Sequence, residues 1–309
     1  MAFPFRKSSE RGAVGLDIDG RYLAAAQIDG GHVVRGASRV LPEGLLSDGE
    51  VADPGALSEH LKSFASEAGL PKGVRLGVAN QQIVVRVVEL PRIEDQKQRD
   101  AAVRFQASEA IAMPLDEAVL DHQVAGYAAA PDGTPRMQVV LVAARRKMVE
   151  SLLEATKAAG LKAEGIDLDA FALVRTLAGN DQGEDPLARV FCHLAAVTNL
   201  AIAVGSGCFF TRPLSTVWDA QDSDSRIADE IRLSIDYYMT QPQARPVDEV
   251  VLSGLGSADP QLVDGLAVHL GIPVRVAAPL GSIDASGLAP GEDPHRYTVA
   301  AGLSMGVAA

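Results

Sequence analysis

Two carboxylates flank one apolar residue at Asp17-Ile18-Asp19-Gly20, and Arg21 follows them. Hard oxygen donors beside a glycine turn suit a phosphate and its divalent metal, although the same residues also make a polar corner on a buried hairpin. A second candidate is Gly254-Leu255-Gly256, which follows a strand pattern and opens a helix pattern. Such a turn accepts adenine, ribose or phosphate through backbone atoms alone. A nicotinamide cofactor is disfavoured, because no Asp or Glu ends "VRVAA", where a ribose-binding acid belongs. His32, His60, His122, His193, His269 and His295 show no metal-ligand spacing, and neither a phosphate-loop nor a nucleophile-elbow signature is present.

These residues need elements to hold them. "AVGLDI", "RYLAAAQI" and "HVVRGASRV" read as three strands joined by "DG" and "DGG" turns. A helix follows over 54–69, with Asp53 before Pro54 at its start and Gly69 at its end, and then the short buried strand "VRLGVA". The unit is βββαβ. The same order recurs as "RVFCHLAA", "TNLAIAV", "CFFTRPL", a helix over about 224–240, "EVVLSG", another helix and "VRVAA". Sliding the halves by 176 residues sets Asp17 over His193, Asp19 over Ala195, Gly20 over Ala196 and Gly31 over Gly207, an internal duplication weak in identity but consistent in order.

Between the repeats, "LPRIEDQKQRDAAVRFQASEAIAMPL" carries a helix with the apolar stripe Val103, Ala107, Ala110 and Ile111. "AVLDHQVAGYA" and "MQVVLVAA" read as strands, and a helix over 146–159 ends at Gly160. An inserted αββα subdomain is the economical reading. The expected organisation is a first lobe over 1–87, to which 164–180 and about 290–309 return, an insert over 88–163, and a second lobe over 186–289. "GNDQGEDP" (179–186) is a polar linker.

The 309 residues carry a net charge of −12, which repels nucleic acid. The only dense basic cluster, Arg145-Arg146-Lys147, opens a helix, where positive charge opposes the macrodipole. No run approaches the roughly 18 apolar residues of a membrane span. Two cysteines, Cys192 and Cys208, make no disulfide framework, and a cytoplasmic location is expected.

In order and spacing these segments resemble the PilM group of type IV pilus assembly proteins, related to the division protein FtsA within the actin-like superfamily. "VGLDIDGRYLAAAQI" is similar to the opening phosphate hairpin, and "VELPRIEDQKQRDAAVRFQASEAIAMPLDEAVLDHQV" to the inserted SHS2 (1C-like) subdomain. "ADEIRLSIDYY" and "EVVLSGLGSADPQLVDGLAVHLGIPVRVAAPL" resemble the adenosine region, and "RYTVAAGLSMG" the last helix, returning to the first lobe. The resemblance implies an α/β, two-lobed actin-like fold of duplicated RNase H-like units.

It also implies ATP with Mg²⁺ as the cofactor, held by Asp17, Asp19, Gly20, Arg21, Glu230, Gly254 and Gly256, with Asp17 as metal ligand. Three departures weaken that chemistry. Asp19 stands where the family has a small residue and would repel a phosphate; His193-Leu194-Ala195 replaces the Asp-x-Gly of the second phosphate hairpin; and Leu255 separates glycines that the family pairs. The expected function is therefore that of a scaffold or adaptor with degenerate nucleotide binding. It would bind the cytoplasmic tail of a PilN-like inner-membrane protein in a groove between the first lobe and the insert. Self-association is a further implication, and the protein is placed peripherally at the inner face of the cytoplasmic membrane. The alternatives are an active ATPase or small-molecule kinase of the superfamily, and an FtsA-like division protein. The last needs a basic amphipathic anchor that "TVAAGLSMGVAA" does not supply.

Overall fold

The computed structural model describes residues 13–130, 132–179 and 188–306, so most of the 179–186 linker lies outside the described residues. Chain contacts divide it into a unit of residues 1–80 and 152–309 and a unit of residues 81–151.

The large unit opens with strands β1 (Val14–Ile18), β2 (Tyr22–Asp29) and β3 (His32–Val40), then a small hairpin, β4 (Leu46–Ser47) with β5 (Glu50–Val51). Helix α1 (Pro54–Glu67) starts as its sequence signals: the Asp53 side chain accepts from the Ala56 amide and proline occupies the first turn. Its buried face, Leu57, Leu61 and Phe64, follows helical spacing and covers the sheet residues Val14, Leu16, Leu23, Val74 and Leu76. Strand β6 (Gly73–Val78) runs parallel to β1.

The small unit holds β7 (Val84–Pro91), α2 (Gln96–Ala110), β8 (Ala118–Ala129), β9 (Pro135–Arg145) and the start of α3 (Arg146–Ala158). Its sheet order is β7-β9-β8. The αββα expectation lacks β7, so the order here is βαββα. The missing strand, "VVRVVELP", is half-buried on both faces and gives no alternating pattern. Val103, Ala107 and Ile111 of the expected stripe pack on Met137, Val139 and Leu141. Arg146 has a local partner: its guanidinium donates to the Ala118 carbonyl at 2.8 Å, which gives the basic cluster a structural use.

Back in the large unit, β10 (Lys162–Leu168) completes the first sheet, in the order β10-β6-β1-β2-β3, and α4 (Asp169–Leu177) follows. The second sheet is built from β11 (Ala188–His193), β12 (Asn199–Val204), β13 (Gly207–Pro213), β14 (Val247–Ser253) and β15 (Val274–Val276). Its order, β13-β12-β11-β14-β15, is that of the first sheet. Helices α5 (Ser223–Met239) and α6 (Pro260–Leu270) cover one face through Ile227, Ile231, Tyr238, Leu262 and Leu266.

The duplication is visible in register. Leu16 faces Leu76 and, 176 positions on, Cys192 faces Leu252. The second hairpin is one residue shorter, since Asp17 faces Ala24 but His193 faces Asn199. Beyond the turn the offset is therefore 175, and both copies keep a bulge there, between Gln27 and Ile28 and between Ile202 and Ala203. Gly31 consequently matches Ser206, not Gly207 as the uniform offset implies.

The other faces of the two sheets are covered crosswise. Helix α4, which follows the first sheet, packs on Phe191, Ala201, Ala203 and Val251 of the second. Helix α7 (Thr298–Met305), which follows the second sheet, packs on Tyr22, Ala24 and Ala26 of the first. Gly15 lets α7 approach: a Cβ there would overlap the Ala300 carbonyl and lie 2.7 Å from the Ser304 nitrogen. The Ser304 hydroxyl donates to the Ala13 carbonyl (2.7 Å) and accepts from the Ile28 amide (2.9 Å).

Candidate functional site

The carboxyl ends of β1 and β11 bring the first and second hairpin turns together. Gly20, with φ of +96°, gives the first turn a left-handed corner, and the Asp19 amide donates to the Tyr22 carbonyl at 3.1 Å. That turn points the Asp19 carboxylate at the second hairpin, where both oxygens accept from the Ala196 amide at 3.0 and 3.2 Å. Beside it, Arg21 donates two bonds to Asp219 at 2.7 and 3.0 Å and lies 5.8 Å from the centre of the Trp218 ring. The pair is bidentate but about two-fifths exposed on each side, so its contribution is on the order of 1 kcal/mol or less.

Asp17 is buried at the end of β1. Burial, then the charges of Asp169 and Asp19, hold its carboxyl well above the ordinary carboxylate range. Burial pushes Asp19 up to about 7, against the Ala196 amide and the Arg21 charge, which pull it down. Asp169, at the first turn of α4, is pushed up to about 8 by burial and by Asp19 and Asp167. One of its oxygens is buried with no hydrogen-bond partner. Gly77 makes room for it, since a Cβ at Gly77 would overlap the Asp169 carboxylate. Asp169 is the site residue that sequence reasoning missed. It belongs to a segment far from the first hairpin, and its signal is an acid opening the apolar helix "DAFALVRTL".

In the second repeat, His193 replaces Asp17 and Ser253 replaces Gly77. The His193 Nδ1 lies 2.9 Å from the Ser253 hydroxyl, and burial with the nearby His295 lowers the imidazole to about 4. His193 is thus neutral and internally paired.

The remaining expected residues are used within the chain. Glu230 accepts four bonds of 2.7–2.9 Å from the amides and hydroxyls of Ser215 and Thr216. Burial would raise its carboxyl, but these bonds outweigh burial and hold it below its ordinary value. Gly254 has φ of +84°, and a Cβ there would sit 2.6 Å from the Leu194 carbonyl oxygen. At Gly256 a Cβ would sit 2.7 Å from both the Leu194 Cβ and the Trp218 ring. The intervening Leu255 packs against the first-repeat cluster of Tyr22, Ala24 and Tyr297.

As arranged, the expected nucleotide contacts are engaged within the chain. The second hairpin's amide is taken by Asp19, Glu230 is saturated, and the glycine turn is packed against Leu194 and Trp218. Among the described residues no group of three or more His, Cys, Asp or Glu side chains is placed to hold a metal ion.

A family profile described as type IV pilus assembly protein PilM matches residues 21–212. A chain of the solved PilM-PilN type IV pilus biogenesis complex superposes with a TM-score of 0.81 at 24% identity, over 95% of this chain and 98% of that one. The ethanolamine utilization protein EutJ from Carboxydothermus hydrogenoformans superposes at 0.51 with 12% identity, over 95% and 89% of the two chains. The fold is that of the actin-like ATPases.

Proposed function

The chain belongs to the PilM family of type IV pilus assembly proteins, and from that membership we propose that it is an actin-like scaffold of a pilus assembly machine. Its partner is the cytoplasmic tail of a PilN-like inner-membrane protein. The observation that carries this reading is the family match over residues 21–212, which runs from the first hairpin through the small unit to β13. The whole-chain likeness to a chain of the PilM-PilN complex supports it.

No helix among the described residues is long and apolar enough to cross a membrane; in this reading the scaffold is held at the inner face of the membrane by its partner. Nucleotide binding is degenerate in this reading, and the protein works by holding segments rather than by turnover. The small unit offers a means of holding an extended peptide: β7 and β8 are both edges of its sheet, and an edge pairs readily with an added strand.

The test is calorimetric titration of the full chain with a synthetic PilN-like tail from the same cell. Saturable binding without added nucleotide is the expected result. No binding, with or without ATP and magnesium, overturns the reading.

A further inference from the structure

Consecutive backbone amides at a turn form a concavity that accepts an anion, because their N–H dipoles converge and no side chain needs to be deprotonated. The second hairpin turn, Ala195-Ala196-Val197, is of this kind, and the anion seated on it comes from the chain itself. The Asp19 carboxylate reaches across from the first hairpin and takes the Ala196 N–H with both oxygens. The amides of Val197 and Arg21 also favour its charged form.

We propose that Asp19 is a built-in substitute for a phosphate: its carboxylate fills the anion-accepting turn of the second hairpin and latches the two repeats together with no nucleotide. The proposal rests on the scaffold reading above and names what makes its nucleotide site degenerate. Two further contacts close the same seam. Arg21 grips Asp219 with a two-bond fork beside Trp218, and Leu255 inserts into the first-repeat cluster between two glycines that cannot carry a side chain. A triphosphate entering here meets an acceptor where it needs a donor.

The latch also explains why Asp19 is tolerated at all. A carboxylate facing a phosphate is a liability, worth several kcal/mol of repulsion at contact for an effective dielectric of about 20. Facing an amide, the same group is a clasp. Sequence alone shows the liability; the position of Ala196, 177 residues away, shows the clasp.

The test titrates the full chain with inorganic tripolyphosphate, and separately with ATP, in magnesium buffer. Wild type, Asp19→Ser and Asp19→Asn are compared, with folding checked by circular dichroism. Asp19→Ser frees the Ala196 amide and is expected to bind tripolyphosphate at least about tenfold tighter than wild type. Asp19→Asn keeps an oxygen acceptor without the charge and is expected to fall between the two. If Asp19→Ser does not fold, tighter binding by Asp19→Asn than by wild type serves as the deciding result. Equal affinity in wild type and the folded variants, or binding by none of them, overturns the proposal. Tail binding by wild type is measured independently, so a failed latch leaves the scaffold reading standing, and a failed scaffold reading leaves the phosphate result interpretable.

Discussion

The two repeats of the large unit share strand order, register and even a bulge, yet they put opposite chemistry at the ends of equivalent strands. In the first, Asp17 stands one residue from the end of β1, and Gly77 on the neighbouring strand admits Asp169; in the second, β11 ends in His193, opposite a serine that satisfies it. One repeat offers acidic groups and the other offers a neutral imidazole and backbone amides, and the first docks into the second through Asp19. Duplication therefore supplied one backbone frame twice, and divergence made the copies complementary. Conserved topology says where a site stands, while the side chains at four or five strand ends say whether it still holds a ligand.

The largest expected effect comes from the central strands themselves. Position 15 is glycine in the first repeat, and its counterpart in the second is the buried Phe191. Gly15→Val should cost about 3 kcal/mol or more, because the added atoms meet the α7 backbone, which cannot retreat. Phe191→Ala should cost about 3–5 kcal/mol through a cavity against α4. Denaturant unfolding of both variants checks the pair, and a neutral Gly15→Val would show that α7 does not pack so closely.

Next in size is a pH response of opposite sign in the two repeats. Folded Asp169 holds its proton to about 8 against an ordinary 3.8, so between those values the folded state binds more protons and stability falls as pH rises. Folded His193 titrates near 4 against an ordinary 6.5, so between those values the unfolded state binds more protons and stability falls as pH drops. Relative to wild type, Asp169→Asn should gain stability progressively from pH 4 to 8. His193→Asn should flatten the loss between pH 6.5 and 4. Thermal midpoints across that range are the measurement, and parallel curves for variant and wild type would remove the distinction.

The smallest effect is expected at the Arg21–Asp219 fork, where exposure limits the loss in Arg21→Ala to about 1 kcal/mol. A much larger loss would mean that the fork, rather than Asp19, is the main cross-repeat tie.

The strands of both repeats were legible because turn residues punctuate apolar runs, and α1 because Asp53-Pro54 marks its start. The duplication was legible in element order, but its one-residue slip was not, since it appears only in cross-strand register. Strand β10, "KAEGIDL", escaped notice because it is a charged edge strand with a bulge after Ala163. The site was half legible. Asp17 and Asp19 announce themselves, whereas the amide of Ala196 has no signature in a side chain, and Asp169 joins Asp17 only through the crossover. The glycines at 254 and 256 were visible as glycines; that Leu194 and Trp218 press against them was not.

The crosswise return of α7 has a consequence for how the chain is made. Strands β1 and β2 leave the ribosome well before the helix that covers one of their faces, which is encoded at 298–305. Ala13 and Ile28 wait for Ser304 to supply their hydrogen-bond partner. The first repeat to be synthesised is thus the last to be finished, and its apolar face lacks its native cover until 298–305 has been made.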